Sequence, residues 1–218
     1  MTPMTPMTPM TPTPPATPDA TLAGLTRPAP DDAARLEALH AALVEHASAA
    51  SVLDATYRIV DSPLGALLLA ATDAGLVRVA YAVEDHDRVL DALGERVGSR
   101  ILKDGKRFDD AARQLDEYFA GSRRAFDLPV DLRLAHGFRL DVLRHLTAIP
   151  YGSTESYAQV ALAAGSPRAV RAVGSACATN PLPIVVPCHR VVRSDGSLGG
   201  YLGGLPAKET LLHLERAA

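Results

Sequence analysis

Proline placement sets the first limit on what this chain can fold into. Nine of its 17 prolines lie at or before Pro30, and each removes a backbone donor and fixes φ. Met-Thr-Pro repeats four times from Met1 to Pro12, and little in residues 1–30 could fill a core. That segment is expected to be a disordered, polyproline-like tail outside the fold. It lacks the basic start and apolar run of a secretory signal. Residues 31–218 remain to fold, enough for one large domain or two small ones.

The first part of that remainder mixes two periodicities. Leu36, Leu39 and Leu43 recur at helical spacing between Asp31 and Ala50, with Asp31 or Asp32 available as a cap. Three strands follow at Tyr57–Val60, Ala66–Thr72 and Leu76–Tyr81. Ser62-Pro63-Leu64-Gly65 and Asp73-Ala74-Gly75 supply the turns between them. Helical patterns cover His86–Val97 and Phe108–Ala120, and Gly121 stops the second. Asp127-Leu128-Pro129-Val130 reads as a short extended connection. Residues 31–132 are therefore expected to form an α+β N-terminal domain, leading helix included.

Residues 133–218 read as mainly helical. Phe138–Ala148 sets Phe138, Val142, Leu143 and Leu146 on one face and ends before Pro150. Ser156 can cap a short helix, Tyr157–Ala164, which Gly165 closes. Pro167 suits the first turn of another helix running to about Ala178. Two short helices joined by a glycine-containing turn make a helix-turn-helix. Arg168 and Arg171 lie there among small residues, Ala169, Ala172, Gly174, Ser175 and Ala176. On this pattern alone, tight helix packing explains the small face.

The net charge of −3 conceals an asymmetry: residues 133–218 carry nine Lys/Arg against five Asp/Glu, while residues 1–132 carry 13 against 20. A basic half permits an anionic partner, nucleic acid included. No stretch approaches the roughly 20 apolar residues of a bilayer span. Two cysteines, Cys177 and Cys188, cannot build a disulfide scaffold, so a reducing, cytoplasmic setting is expected.

The most informative stretch runs from Asn180 to Val192: an apolar segment stiffened by Pro181, Pro183 and Pro187, then Cys188-His189-Arg190. A thiolate is a competent nucleophile, but a free thiol needs a base or a positive field to ionise at neutral pH. His189 could take that proton and Glu215 could orient the imidazole. Adjacent side chains on an extended segment point apart, so a direct Cys-His transfer is awkward and a water-mediated relay is feasible.

This stretch resembles the active-site segment of the O6-alkylguanine-DNA alkyltransferases, repair proteins that accept an alkyl group on their own cysteine. The likeness continues through Gly199-Gly200-Tyr201, Gly203-Gly204-Leu205, Lys208-Glu209 and Leu211-Leu212 to Glu215. Upstream it takes in Ile149-Pro150-Tyr151-Gly152, Ser156-Tyr157 and Arg168-Ala169-Val170-Arg171-Ala172-Val173-Gly174. Ser62-Pro63-Leu64-Gly65 and Tyr118-Phe119-Ala120-Gly121 extend it loosely into the N-terminal half.

The resemblance implies an α+β fold: a small ribonuclease-H-like N-terminal domain, then a mainly helical DNA-binding and alkyl-acceptor domain with a winged helix-turn-helix. It implies that Cys188 attacks the alkyl carbon on guanine O6 in line, once per protein molecule. His189, through a water, and Glu215 would lower the thiol's pKa, and Tyr157 would donate to guanine N3. The target nucleotide would be flipped out of the duplex. The small helix, with Ala169 and Ala172, would enter the minor groove, and Arg171 would fill the gap left by the flipped base. Asn180 would tie the helix-turn-helix to the active-site segment. The carbonyls of Cys188 and Val191 would accept from the guanine amino group, with Tyr201 packed on the base and Pro183 lining the pocket. The partner implied is double-stranded DNA containing O6-alkylguanine, with O4-methylthymine a further substrate. No cofactor is called for, and a monomer is expected.

Two departures from the family pattern stand out. Leu143 replaces a large aromatic, and Leu202 follows the pocket tyrosine where relatives carry a small hydroxyl residue. The Leu202 backbone could still donate to O6, but its side chain is expected to slow reaction with bulky O6-benzyl groups. Some relatives hold a structural zinc in the N-terminal domain. Here that domain offers only His40, His46, His86 and carboxylates at no metal-like spacing, so no metal is expected. The nearest alternative is a silent binder of alkylated DNA, but such proteins replace the nucleophile, whereas Cys188 is present. A cysteine hydrolase is the reading from another class.

Overall fold

The computed structural model describes residues 32–217, so the Pro-rich segment 1–30 lies outside the described residues. The chain divides at Leu43/Val44 into two units, of which the first is described only over residues 32–43. Helix α1 (Asp32–Ala49) crosses that division. Its Leu36, Leu39 and Leu43 are exposed and Val44 is buried: helical spacing creates a stripe but does not determine what covers it.

The second unit begins with a four-stranded sheet built from β1 (Ala55–Val60), β2 (Leu67–Thr72), β3 (Gly75–Tyr81) and β4 (Ile101–Lys103). The order is β3-β2-β1-β4, with β1–β2 and β2–β3 antiparallel and β1–β4 parallel. Strand β4 was not legible in the sequence, because three residues are too few to show alternation. Alternation along β2 sorts the core: Leu67, Leu69 and Ala71 join the larger cluster, while Leu68 and Ala70 join the smaller. Helix α2 (His86–Arg96) covers the smaller side with Val89 and Leu93. Helix α3 (Asp109–Phe119) belongs to the larger, through Ala111, Leu115 and Tyr118.

The connection predicted at 127–130 runs beside the outer edge of β3. Leu76 N–H donates to the Pro129 carbonyl at 2.8 Å, and Asp131 N–H donates to the Leu76 carbonyl at 2.8 Å. Gly75, at φ +135°, is required there, because a Cβ would overlap the Pro129 carbonyl.

Helix α4 (Phe138–Leu146) opens the helical half, with Val142, Leu143 and Leu146 fully buried. Leu143 is thus a core residue. Next come the two-residue strand β5 (Glu155–Ser156) and helix α5 (Tyr157–Ala163). Ser156 caps α5 by accepting from Gln159 N–H at 3.2 Å, and Gln159 returns the bond to Ser156 N–H at 2.7 Å. Helix α6 (Val170–Ala178) starts three residues beyond Pro167. Pro167 instead sits in a preceding turn, where Ala169 N–H donates to the Ser166 carbonyl at 2.8 Å. Strand β6 (Val191–Val192) pairs in parallel with β5, and helix α7 (Gly204–Ala217) ends the described chain. No described helix is long and apolar enough to cross a membrane.

Candidate active site

The cysteine is held by a short chain of hydrogen bonds that starts where α6 ends. Asn180 is fully buried; its Oδ1 accepts from Leu182 N–H at 3.0 Å and its Nδ2 donates to the Val186 carbonyl at 2.8 Å. The same Nδ2 lies 3.1 Å from Cys188 Sγ. Between these points Ile184 takes φ +73°, a left-handed conformation that is costly for a β-branched residue. The bond from Val186 N–H to the Leu182 carbonyl, at 2.7 Å, closes the loop around it.

Cys188, His189 and Arg190 form a single 3-10 turn rather than the extended segment expected from the sequence. Pro187 N-caps the turn at ψ 64°, and its carbonyl accepts from Arg190 N–H at 3.0 Å. The turn is buried throughout, with Cys188 only 1% exposed. Pairing of β6 with β5 then fixes the turn's exit beside the start of α5.

Glu215, from α7, collects the polar side chains of the site. Its carboxylate accepts from His189 Nε2 at 2.8 Å, from Arg190 Nε at 2.9 Å and from Tyr118 Oη at 2.8 Å. Gly152 N–H adds a further bond at 3.2 Å. Burial alone would raise its pKa, but the hydrogen bonds from His189 and Arg190 outweigh that and lower it to about 2. Burial lowers the pKa of His189, so its imidazole is neutral at pH 7. With Nε2 given to Glu215, Nδ1 is buried without a hydrogen-bond partner among the described residues. Burial pushes the Cys188 thiol up to about 11, against the opposing pull of Asn180 and Lys208. The resting group is a thiol.

Arg190, Tyr118 and Lys208 belong to this constellation, and sequence reasoning gave none of them a role. Lys208 is fully buried, and its Nζ donates to the Val191 carbonyl at 2.5 Å. A charged residue in the apolar run of α7 was the available signal, since lysine is almost never buried unless paired. The Val191 carbonyl therefore already holds one donor and keeps one lone pair free.

The other residues singled out in the sequence divide into those near the cysteine and those on the surface. Tyr201 Oη lies 2.8 Å from Tyr81 Oη, and its ring stands edge-on to His189 at 6.4 Å between centroids. Tyr157 is half-buried, and Gly199 packs so close to it that a Cβ would overlap its hydroxyl. Pro183 is buried. Leu202 lines a cavity of about 400 Å³ together with Arg78, Arg139 and Pro181. Arg171 and Ala172 lie on the exposed face of α6, whose Val173, Ala176 and Cys177 face the core; Ala169 N-caps the helix and is half-buried.

Comparison with known proteins agrees in both halves. Residues 55–132 match the 6-O-methylguanine DNA methyltransferase ribonuclease-like domain, and residues 137–217 match the DNA binding domain of the same enzyme. A methylated-DNA–protein-cysteine methyltransferase of Mycolicibacterium paratuberculosis is 45% identical over 160 residues, covering 73% of this chain and 92% of the relative. The constitutive enzyme of that name from Bacillus subtilis is 41% identical over 161 residues, covering 73% and 94%. Among solved structures, Mycobacterium tuberculosis OGT in complex with DNA is 40% identical with a TM-score of 0.66, covering 74% of this chain and 93% of that one.

Proposed function

The chain belongs to the O6-methylguanine DNA methyltransferase family, and from that premise we propose that Cys188 is the residue that takes the alkyl group. The activity is methyl transfer from methylated DNA to a protein cysteine, and DNA is the partner. The observation that carries the residue assignment is one buried set: Cys188 and His189 in a single turn, with Asn180 against the sulfur and Glu215, from α7, against the imidazole.

Chemistry follows from the protonation states. Neutral His189, its Nε2 proton directed at Glu215, has Nδ1 free to accept. The Cys188 proton passes through a water to that nitrogen, while Asn180 Nδ2 and the Lys208 ammonium stabilise the thiolate. Sulfur then attacks the O6-alkyl carbon in line. A carbon–sulfur bond forms, the carbon–O6 bond breaks, and its electron pair leaves with the purine. Tyr157 supports that departure by donating to N3, and the relay proton completes guanine. The thioether is stable, so each molecule acts once.

A thiol that is 1% exposed cannot meet a base still stacked in a duplex, so the reading includes base flipping. Ala169, Ala172 and Arg171 are assigned to the minor-groove contact, with Arg171 filling the vacated stack. Val191, Tyr201, Leu202 and Pro183 are assigned to the pocket. A one-helix contact needs no two-fold partner, so a monomer is part of the reading. So is a cytoplasmic setting, because both thiols are free.

The test is lesion loss from a duplex carrying one O6-methylguanine. One lesion lost per protein molecule, and none with Cys188→Ala, is the result expected. Tight binding without lesion loss by the unaltered protein would favour a silent binder instead.

A further inference from the structure

Among the described residues, the cavity beside Leu202 is lined by four arginines, Arg78, Arg88, Arg96 and Arg139, against a single carboxylate, Glu84. Two of them come from α2, one from β3 and one from α4, so the fold converges them from separate elements. Glu84 is already paired with Arg78. Arg78, Arg96 and Arg139 each donate to a neutral backbone carbonyl, of Asn180, Leu134 and Thr179 respectively. For Arg96 and Arg139, which have no carboxylate partner among the described residues, such bonds orient the guanidinium group without cancelling its charge.

Arg139 shows the excess most directly. Its Nε is buried and has no hydrogen-bond partner among the described residues. Its pKa is lowered, first by burial and then by the neighbouring charges of Arg96 and Arg78. Like charges crowded at a partly buried site are stabilised by an anion, and guanidinium forks match phosphate oxygens. Ala178 and Thr179, at the C-terminal end of α6, form part of the wall.

We propose that this arginine-lined cavity is a phosphate-binding site that takes one phosphodiester of the DNA strand running past the C-terminal end of α6. The site would give the ribonuclease-like half of the chain, through α2 and β3, a direct hold on DNA. This rests on the DNA-repair reading above and adds a contact to it.

The experiment measures binding of an unmodified duplex over a range of salt concentrations for the full chain, Arg88→Gln, Arg139→Gln and Arg171→Gln. Arg88 is the safe variant for folding, since its side chain is exposed and, among the described residues, its one ion pair is with Asp85 at 3.3 Å. Each cavity variant is expected to weaken binding and to reduce the slope of log K against log salt by about 0.9, one phosphate's worth. An unchanged slope for both cavity variants, with a reduced one for Arg171→Gln, would overturn the cavity site and leave the DNA-binding reading standing. No salt-dependent binding by any of the proteins would defeat both. In a parallel titration, inorganic phosphate that stabilises the full chain against heat but not Arg139→Gln, with the DNA slope unaltered, would assign the cavity to free phosphate and overturn the proposal.

Discussion

Asn180 satisfies Leu182 N–H and the Val186 carbonyl and also reaches the Cys188 sulfur, all from one buried amide. Replacing it with alanine strands a donor and an acceptor in the interior, at about 1–3 kcal/mol for each group left unpaired. Asn180→Ala is therefore expected to lower the urea midpoint clearly and to slow alkyl transfer, because the thiolate loses a donor. Unchanged transfer in a destabilised protein would restrict Asn180 to a structural role. The sequence pointed to Cys188 and His189 through one unusual string, to Glu215 as a carboxylate able to orient the imidazole, and to Asn180 through the family resemblance. Tyr118 and Arg190 escaped notice as partners of Glu215. A tyrosine 97 positions away announces no hydrogen bond in a linear pattern, and Arg190 reads as a surface charge until its burial is seen.

At the scale of elements, α6 divides its residues cleanly. Val173, Ala176 and Cys177 are buried, while Arg171, Ala172 and Ser175 are exposed. Ala172→Leu should leave stability within about 0.5 kcal/mol, as for an ordinary surface change. It should weaken DNA binding because a narrow groove has no room for the added bulk; equal affinity would remove α6 from the groove. Ser156→Ala is expected to cost about 1 kcal/mol in a thermal or urea melt, since it opens the capping box of α5. Long elements were legible: three strands and the helices of 86–96, 109–119 and 138–146 follow from period and punctuation. Short ones were not. Strand β4 depends on a neighbour to pair with, and the 3-10 turn at Cys188 is set by Pro187 and the buried bonds around it rather than by propensity.

At the scale of the second unit, the sheet and the helical half meet at the site. Val79 N–H donates to the Pro181 carbonyl at 2.8 Å, Tyr81 reaches Tyr201, and Tyr118 reaches Glu215. Such long-range pairing is invisible to local patterns, which is why the N-terminal half gave no site residues in the sequence. It also makes acid stability a property of the junction. Glu215 is held at about 2, below the roughly 4.3 of a free glutamate in an unfolded chain. A carboxylate with a depressed folded pKa contributes stability that is full above the unfolded value and lost as pH falls toward the folded one. Stability should therefore drop between about pH 5 and pH 2, and Glu215→Gln should flatten that slope while lowering stability at pH 7. A Gln variant with the same pH dependence would place the acid sensitivity elsewhere.

The claim that joins these scales is that a buried Cys188 thiol becomes the permanent home of an alkyl group from DNA. Intact mass of the protein, taken after mixing with a duplex that carries one O6-methylguanine, reads this directly. A gain of one methylene, about 14 Da, on the peptide containing Cys188 and at no more than one per molecule is the predicted result. No mass gain, or a gain that persists in Cys188→Ala, would contradict it.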